Sequence, residues 1–429
     1  MIINNNKFYN LKTKRMKRLL LLSVMFCIGV LQGFAQTFTY TDENGVNWEC
    51  SLSFDMIPMP DGTYKDTTYV YINSASNYGE EVTVPGVVKY EEKNYTITQL
   101  SSVFRGNKTL KKVTLPKSIT SLGDAFAECP NLTEVVNTEQ ILSCSGSFYN
   151  CTSLKNIDLS NCEEIGGGTF EFCNNLQSVN LKKCKSIGFE AFLGCHNLQS
   201  IGDLSSCITI TSSAFSNCSS LKSVDISSCN TLDNSVFNGC SNLEEVKLSK
   251  QLNTISESTF SGCTNLKNID LSYCTTIEKN AFINCYSLSD INLSICQSIG
   301  SAAFADCKHL EAVSIPNTIK YMGYKCFNGN TTLTLYAKNV PTLDERSEDY
   351  ADMDHSALGK NVLIIVPEES LAAYQAADVW NTMSERIFPM GTQFEYNVEA
   401  NAQASTSGLQ KAIGEKNLRS VVTLKVKGR

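Results

Sequence analysis

Ser147-Phe148-Tyr149-Asn150-Cys151-Thr152-Ser153-Leu154-Lys155-Asn156-Ile157-Asp158-Leu159-Ser160-Asn161-Cys162-Glu163-Glu164-Ile165 is one copy of a unit that recurs along most of the chain. Its phenylalanine returns at Phe104, Phe126, Phe148, Phe170, Phe192, Phe215, Phe237, Phe260, Phe282, Phe304 and Phe327, always 22 or 23 residues on. Three residues after each of the nine inner phenylalanines stands a cysteine, from Cys129 to Cys307. Six residues after every one stands a leucine, from Leu110 to Leu333. A fixed period of this length indicates a solenoid: one repeat cannot bury its own apolar face, so neighbours stack and bury it together. The spacing predicts about 10–11 coils, an array on the order of 50 Å long at ordinary strand spacing. It describes a kind of surface and leaves the ligand of that surface open.

Counted from Leu154, the unit reads L-x-x-I-x-L-x-x-C-x-x-I. The same frame gives Leu176-Val179-Leu181-Cys184-Ile187, Leu221-Val224-Ile226-Cys229-Leu232, Leu266-Ile269-Leu271-Cys274-Ile277 and Leu288-Ile291-Leu293-Cys296-Ile299. The alternation around Val179 and Leu181 has the period of a half-buried strand. Each coil therefore contributes one strand to a parallel sheet, and Phe192 and Cys195 fill the far side of the same core.

This frame resembles the leucine-rich repeat, with one extra residue before the last apolar position. Together with the Phe-x-x-Cys element and Ile-Gly-x-x-Ala-Phe (Ile187 to Phe192, Ile299 to Phe304), it resembles the BspA-like branch of leucine-rich repeat proteins. The resemblance covers roughly Phe104 to Leu335. It implies a mainly-β solenoid of α/β type with a parallel sheet on its concave face. It also implies a secreted or surface protein that works by adhesion to host matrix or other cells, with partners bound on the concave face.

Nineteen cysteines would ordinarily suggest disulfides in an exported protein. Here they form two ladders. One runs Cys129, Cys151, Cys173, Cys195, Cys218, Cys240, Cys263, Cys285, Cys307; the other Cys162, Cys184, Cys207, Cys229, Cys274, Cys296. Stacked side chains run parallel instead of converging, so bridging would need strain. Both ladders are read as small buried thiols behaving as apolar residues, with disulfide pairing between neighbouring rungs as the alternative. Cys326, just before Phe327, is given the same packing role. Some copies are irregular. Asn107 and Asn330 replace the cysteine at the terminal coils, Asn137 breaks the pattern after Val135, and Cys144 lies off both ladders. Ile201-Gly202-Asp203-Leu204 and Ser249-Lys250-Gln251 each add a residue. Leu115-Pro116 and Ile315-Pro316 place a proline where it ends a strand by removing a donor.

The flanks divide the chain further. Residues 1–35 read as a cleavable signal peptide: a basic run from Lys12 to Arg18, an apolar core from Leu19 to Leu31, and small Gly33 and Ala35 before Gln36. That core is too short for a stable membrane span. Residues 36–100 read as an N-terminal β capping unit, with Val46, Trp48, Cys50, Leu52 and Phe54 alternating and Pro58-Met59-Pro60-Asp61-Gly62 supplying a turn. The solenoid is assigned to 101–335. Residues 336–392 carry an acidic loop at Asp344 to Asp354, a strand at Val362 to Val366, and a helix from Pro367 through Tyr374, Ala377 and Trp380, a strand-helix pattern that resembles the C-terminal cap of BspA-like arrays. Residues 393–429 are a linker followed by either the start of a further β unit or a frayed tail; the two readings stand level.

Cleavage would remove six of the 36 basic residues and none of the 43 acids, leaving 30 against 43 and a net charge of −13. That balance argues against nucleic acid or anionic membrane as partner. No catalytic constellation emerges. The histidines are His196, His309 and His355. Cys195-His196 could be called a nucleophile and base, but the slot after the cysteine elsewhere holds Asn174, Ser219, Ser241 and Thr264, so His196 reads as surface variation. Gly166-Gly167-Gly168 falls in repeat register and is no phosphate loop. No H-E-x-x-H or C-x-x-C occurs, so neither a metal nor a cofactor is expected.

The remaining candidate is the outward face of the parallel sheet. One row is Asn156, Ser178, Ser200, Ser223, Glu245, Asn268 and Asp290; the other is Asp158, Asn180, Asp225, Lys247, Asp270 and Asn292. The sequence thus points to a monomeric, non-catalytic interaction protein, secreted or at the cell surface, with an extracellular protein or glycan as partner, and the BspA-like resemblance implies that it is adhesin-like. An envelope structural or carbohydrate-capturing scaffold, with binding by the flanking β units, is the competing reading. A hydrolase would need an acid/base pair that the sequence does not show.

Overall fold

The protein, seen here as a computed structural model, is described over residues 36–58, 64–328, 331–345, 357–359 and 361–392, plus strand residues 394–396 and 424–426. The expected signal peptide, the 59–62 turn, the stretch 346–354 of the acidic loop, Asn330, His355 and the 397–423 linker and helix lie outside those residues.

The chain winds into a mainly-β solenoid of about 13 turns with few helices. The front strands, among them Lys112–Thr114, Asn156–Asp158, Ser178–Asn180, Ser223–Ile226 and Asp290–Ile291, pair in parallel along the array. The phenylalanines mark eleven coils, but parallel pairing continues past them at both ends. Glu81–Thr83 pairs with Lys112–Thr114, and Thr332–Leu335, Leu363–Val366 and Ile387–Pro389 follow one another in register. The strands beyond the marked coils, Glu81–Thr83, Leu363–Val366 and Ile387–Pro389, belong to turns that lack the Phe-x-x-Cys element, which is why the period does not reveal them. Upstream lies an antiparallel three-stranded sheet of Gln36–Thr41, Asn47–Pro58 and Tyr64–Ser76.

Each turn has a second parallel strand that the sequence reading does not anticipate. Ile165, Ile187, Ile210 and Leu232 stack in a seven-stranded sheet, and Ile255, Ile277, Ile299 and Met322 in a five-stranded one. These strands are mostly two residues long, too short for alternation to show.

The third side is the return turn that carries the phenylalanine. In the coils from Phe104 to Phe282, the residues two before, at, and two after the Phe donate their amides to the next rung, as Gly168 to Phe189 O (2.9 Å), Phe170 to Ala191 O (2.7 Å) and Phe172 to Leu193 O (2.8 Å). Aiming alternate amides the same way needs alternate left-handed residues. The position two before Phe has positive φ in every coil, from Ser102 through Glu190 to Lys325, and so does the described position two after. Only some are glycine, so the backbone hydrogen bonds hold non-glycine residues in a region they disfavour.

Inside, the rings form one continuous column. Neighbouring centroids are 5.1–5.6 Å apart and nearly parallel, the offset-stacked arrangement that aromatic rings prefer. Trp48 (6.2 Å) and Tyr78 (5.8 Å) close edge-on over Phe104. At the far end Tyr374 meets Trp380 edge-on, and the Trp380 indole donates to Pro341 O at 2.8 Å. The helix there is shorter than its alanine spacing suggests. It covers Leu371–Ala376, ends where Ala377 turns extended, and is followed by a 3-10 segment, Trp380–Arg386.

The eighteen described cysteines are free and buried. Those of the return turn are more than apolar filler. Each thiol donates to the phenylalanine carbonyl of the preceding coil: Cys151 to Phe126, Cys173 to Phe148, Cys195 to Phe170, at 2.9–3.0 Å. That carbonyl already accepts the amide of the cysteine in its own coil, so the thiol takes its second lone pair. Cysteine suits the slot because it is small, tolerates burial and still carries a weak donor.

Candidate functional site

The residues between the inward leucines and isoleucines of the front strands face out. Asn156 and Asp158 flank buried Ile157; Ser223 and Asp225 flank buried Val224; Glu245 and Lys247 flank buried Val246. Asn268, Asp270, Asp290 and Asn292 are exposed likewise around Ile269 and Ile291. The front face is not uniform, however. Two irregular copies interrupt it. Asn137 takes a left-handed conformation (φ 61°) and its amide donates to Leu115 O at 2.8 Å. Gly202 (φ 71°) sits in the enlarged loop Ile201–Leu204, where a β-carbon would come within 3.3 Å of Leu181 N and Val179 O.

Between these interruptions the paired strands Asn156–Asp158 and Ser178–Asn180 form the floor of an open groove of about 570 Å³. Asn156, Asp158, Ser178, Asn180 and Ser200 line it together with Asn137, Thr138, Glu139 and Gly202. Ser178 donates to the Asn156 side-chain oxygen at 2.7 Å, and Thr138 donates to Asp158 O at 2.6 Å. Amide donors, hydroxyls and the Asp158 and Glu139 carboxylates thus converge on one concavity. The sequence reading missed Thr138, Glu139 and Gly202 as lining residues. The visible clue was the pair of irregular copies, because a break in an otherwise regular sheet opens space.

The other eight predicted residues, Ser223, Asp225, Glu245, Lys247, Asn268, Asp270, Asp290 and Asn292, lie outside the groove on a separate four-stranded stretch. Several already have local work. Asp225 and Asp270 each accept the amide of the serine two residues on, Ser227 at 3.1 Å and Ser272 at 3.0 Å, as Asn292 does from Ser294. This Asx turn ends the strand. Hydrogen bonding from Ser227 and Ser272 holds the Asp225 and Asp270 carboxyls below the usual range. Lys247 pairs across the strands with Asp225 at 3.4 Å, both well exposed, so the pair contributes little to stability.

Cys195 and His196 do not form a catalytic pair. The Cys195 thiol is buried, committed to Phe170 O, and pushed far up by desolvation. His196 is exposed, its Nδ1 3.0 Å from Asn217 O. Gly188 falls in repeat register like the Gly166 run: a β-carbon there would lie 2.7 Å from Gly167 N, so glycine permits a close backbone approach between these two coils. Among the described residues no group of histidine, cysteine and acidic side chains could hold a metal ion, and no helix is long and apolar enough to cross a membrane.

A family described as "BspA type Leucine rich repeat region" matches in six copies over residues 88–199, 164–289 and 230–346, more than half of the chain. The chain belongs to the BspA-type leucine-rich repeat proteins. Among solved structures, this leucine-rich repeat protein is similar to one from Bacteroides ovatus (17% identity, 88% of this chain and 98% of that chain, TM-score 0.39). It is similar to the pneumococcal vaccine antigen PcpA (15% identity, 83% and 99%, TM-score 0.46). It is also similar to a leucine rich cell surface protein from Faecalibacterium prausnitzii (19% identity, 64% and 94%, TM-score 0.36). No curated protein matches.

Proposed function

We propose that this BspA-type repeat protein is a non-catalytic interaction protein, secreted or at the cell surface, that adheres to an extracellular protein or glycan through its front sheet. The groove between Asn137 and Gly202 is the observation that carries the reading. It is a place where the front sheet is interrupted and where polar donors and acceptors gather without a buried acid/base pair. Family membership supports an interaction role over catalysis. The groove has no aromatic lining, so affinity comes from many polar contacts along the rungs and less from single aromatic anchors.

The test starts from an array of matrix proteins and glycans probed with the chain. The ligand found is then measured against two sets of variants: Asn156→Ala with Asn180→Ala in the groove, and Asp225→Lys, Lys247→Glu and Asp270→Lys beyond it. The groove pair is expected to weaken binding by about tenfold or more, equivalent to about 1.4 kcal/mol. Unchanged binding in both sets, with loss on replacing exposed residues of the Gln36–Ser76 sheet, would instead assign the ligand to the flanking β unit, as in an envelope scaffold.

A further inference from the structure

A different face carries aromatics that the front sheet lacks. On the return-turn edge, Phe172 is 39% exposed and Phe189 55% exposed, while the ladder phenylalanines beside them are fully buried. Tyr149, from the preceding coil, meets the Phe172 ring edge-on at 6.2 Å. All three residues stand on three consecutive coils and, unlike the ladder rings, are not part of the central stack.

Their slots are not built for aromatics. Phe172 occupies the left-handed position two after the ladder Phe, with φ 59°. The same slot holds Gly106, Glu128, Asn150, Gly194 and Asn217 in nearby coils. A bulky residue there is an outlier. Gly194 makes room for it, since a β-carbon at Gly194 would sit 2.8 Å from the Phe172 ring. Phe189 occupies a slot that holds Ser145, Gly167 and Ser212 in its neighbours. Neither ring is required by the coil, because the other coils form without them.

The surroundings are acidic. Glu171 and Glu190 stand beside the rings in sequence and on adjacent coils. Burial, reinforced by the Glu190 charge, raises the Glu171 carboxyl above its usual range. The four turn segments 145–150, 166–172, 188–194 and 211–217 contain no lysine or arginine. The edge therefore pairs aromatic surface with two acids and no lysine or arginine in those segments. Carboxylates seek cationic partners, ring faces attract cations, and exposed aromatic bodies serve as anchors at interfaces.

We propose that Tyr149, Phe172 and Phe189, with Glu171 and Glu190, form a second docking surface that takes a protein segment presenting Lys or Arg beside an apolar side chain. It lies apart from the front groove and stands independently of what that groove binds. A sugar ring could stack on the aromatics and donate its hydroxyls to the carboxylates, but it would leave their negative charge uncompensated, whereas a basic segment pairs with it.

The test uses fluorescence anisotropy on the full chain with two labelled peptides of equal length, one alternating leucine with lysine, the other leucine with glutamate. Phe172→Asn and Phe189→Ser place in each slot a residue that neighbouring coils already carry, and Glu171→Gln with Glu190→Gln removes the charge. The leucine/lysine peptide is expected to bind and the leucine/glutamate peptide not. Each aromatic variant weakens binding about tenfold, in the range of an interface anchor. The double Gln variant weakens it and flattens its salt dependence. Asp290→Asn on the front face leaves it unchanged. Should Phe172→Asn fail to fold, Phe189→Ser at its exposed slot decides alone. Failure of the leucine/lysine peptide to bind, equal binding by all variants, equal binding of the two peptides, or preference for a maltooligosaccharide over the basic peptide would overturn the proposal.

Discussion

Replacing Phe192 by alanine probes the column of rings on which the coils rest. The side chain is fully buried, with stacked neighbours on both sides, Phe170 at 5.1 Å and Phe215 at 5.1 Å. Burying a phenylalanine and then deleting it costs about 3–5 kcal/mol in transfer and cavity terms. Two ring contacts are lost at once, each worth about 0.5–1.5 kcal/mol beyond area. The cavity cannot close easily either, because backbone hydrogen bonds along the return turn and the second parallel sheet tie this coil to both neighbours. The upper end of the range, about 5 kcal/mol, is therefore expected. In a solenoid this loss falls on nearest-neighbour interfaces. The assay is urea unfolding followed by circular dichroism, combined with hydrogen exchange resolved by coil. Phe192→Ala should lower the midpoint strongly and strip protection first from the coils of Phe170, Phe192 and Phe215. Phe189→Ser, three residues away but 55% exposed, should change stability by no more than about 0.5 kcal/mol. Equal effects of the two substitutions, or a Phe192→Ala loss below about 1 kcal/mol, would refute the stacked-core reasoning.

Three further outcomes follow from the same geometry. Gly188→Ala should cost about 1–3 kcal/mol, as overpacking does, because the added carbon meets backbone at 2.7–2.8 Å; thermal unfolding checks it, and a neutral result would mean that the rungs can part. In a native thiol titration with an aromatic disulfide reagent, the eighteen described cysteines should stay silent, since burial keeps thiols such as Cys129 and Cys285 raised, to about 11 and about 12; denaturation should release them, and rapid native reaction would contradict their packing. The Asp203, Asp225 and Asp270 carboxyls are lowered by the hydrogen bonds of Ser205, Ser227 and Ser272. A lowered folded value gives stability that is present above the unfolded aspartate pKa of about 3.9 and is lost as pH falls through the folded values. The urea midpoint should therefore drop below about pH 4, and Asp→Asn at these three sites, which keeps the turn acceptor without the charge, should flatten that drop.

Much of the fold was legible because its determinants recur. A buried Phe, Leu and Cys at fixed offsets can only be explained by stacking, and the front strands fall where Val179 or Ile157 alternate with polar neighbours. Features that depend on backbone geometry stayed hidden. The second parallel sheet uses strands of two residues around Ile165 and Ile187. The left-handed positions are filled by Ser213, Glu190, Asn280 and Gly168 alike, so composition does not mark them. The thiol-to-carbonyl bonds look in sequence like simple apolar filling. At the C-terminal end, Ala-Tyr-x-x-Ala spacing suggests a longer helix than forms, because Ala377 turns extended and Val379 adopts φ 66°. As for the site, the outward rows were readable residue by residue. That Asn156, Asp158, Ser178 and Asn180 share a groove while Asp225 and Asp270 lie beyond it depends on where the sheet is interrupted, and Asn137 and Gly202 set that only in three dimensions.

The central functional claim is that the partner lies along the front sheet, across the groove. Hydrogen exchange of the full chain with and without the ligand found on the array tests it most directly. Added protection should fall on the front strands from Glu134–Val136 to Ser178–Asn180 and on the loop around Gly202. Protection confined to the antiparallel sheet of Gln36–Ser76, with the groove strands unchanged, would contradict it.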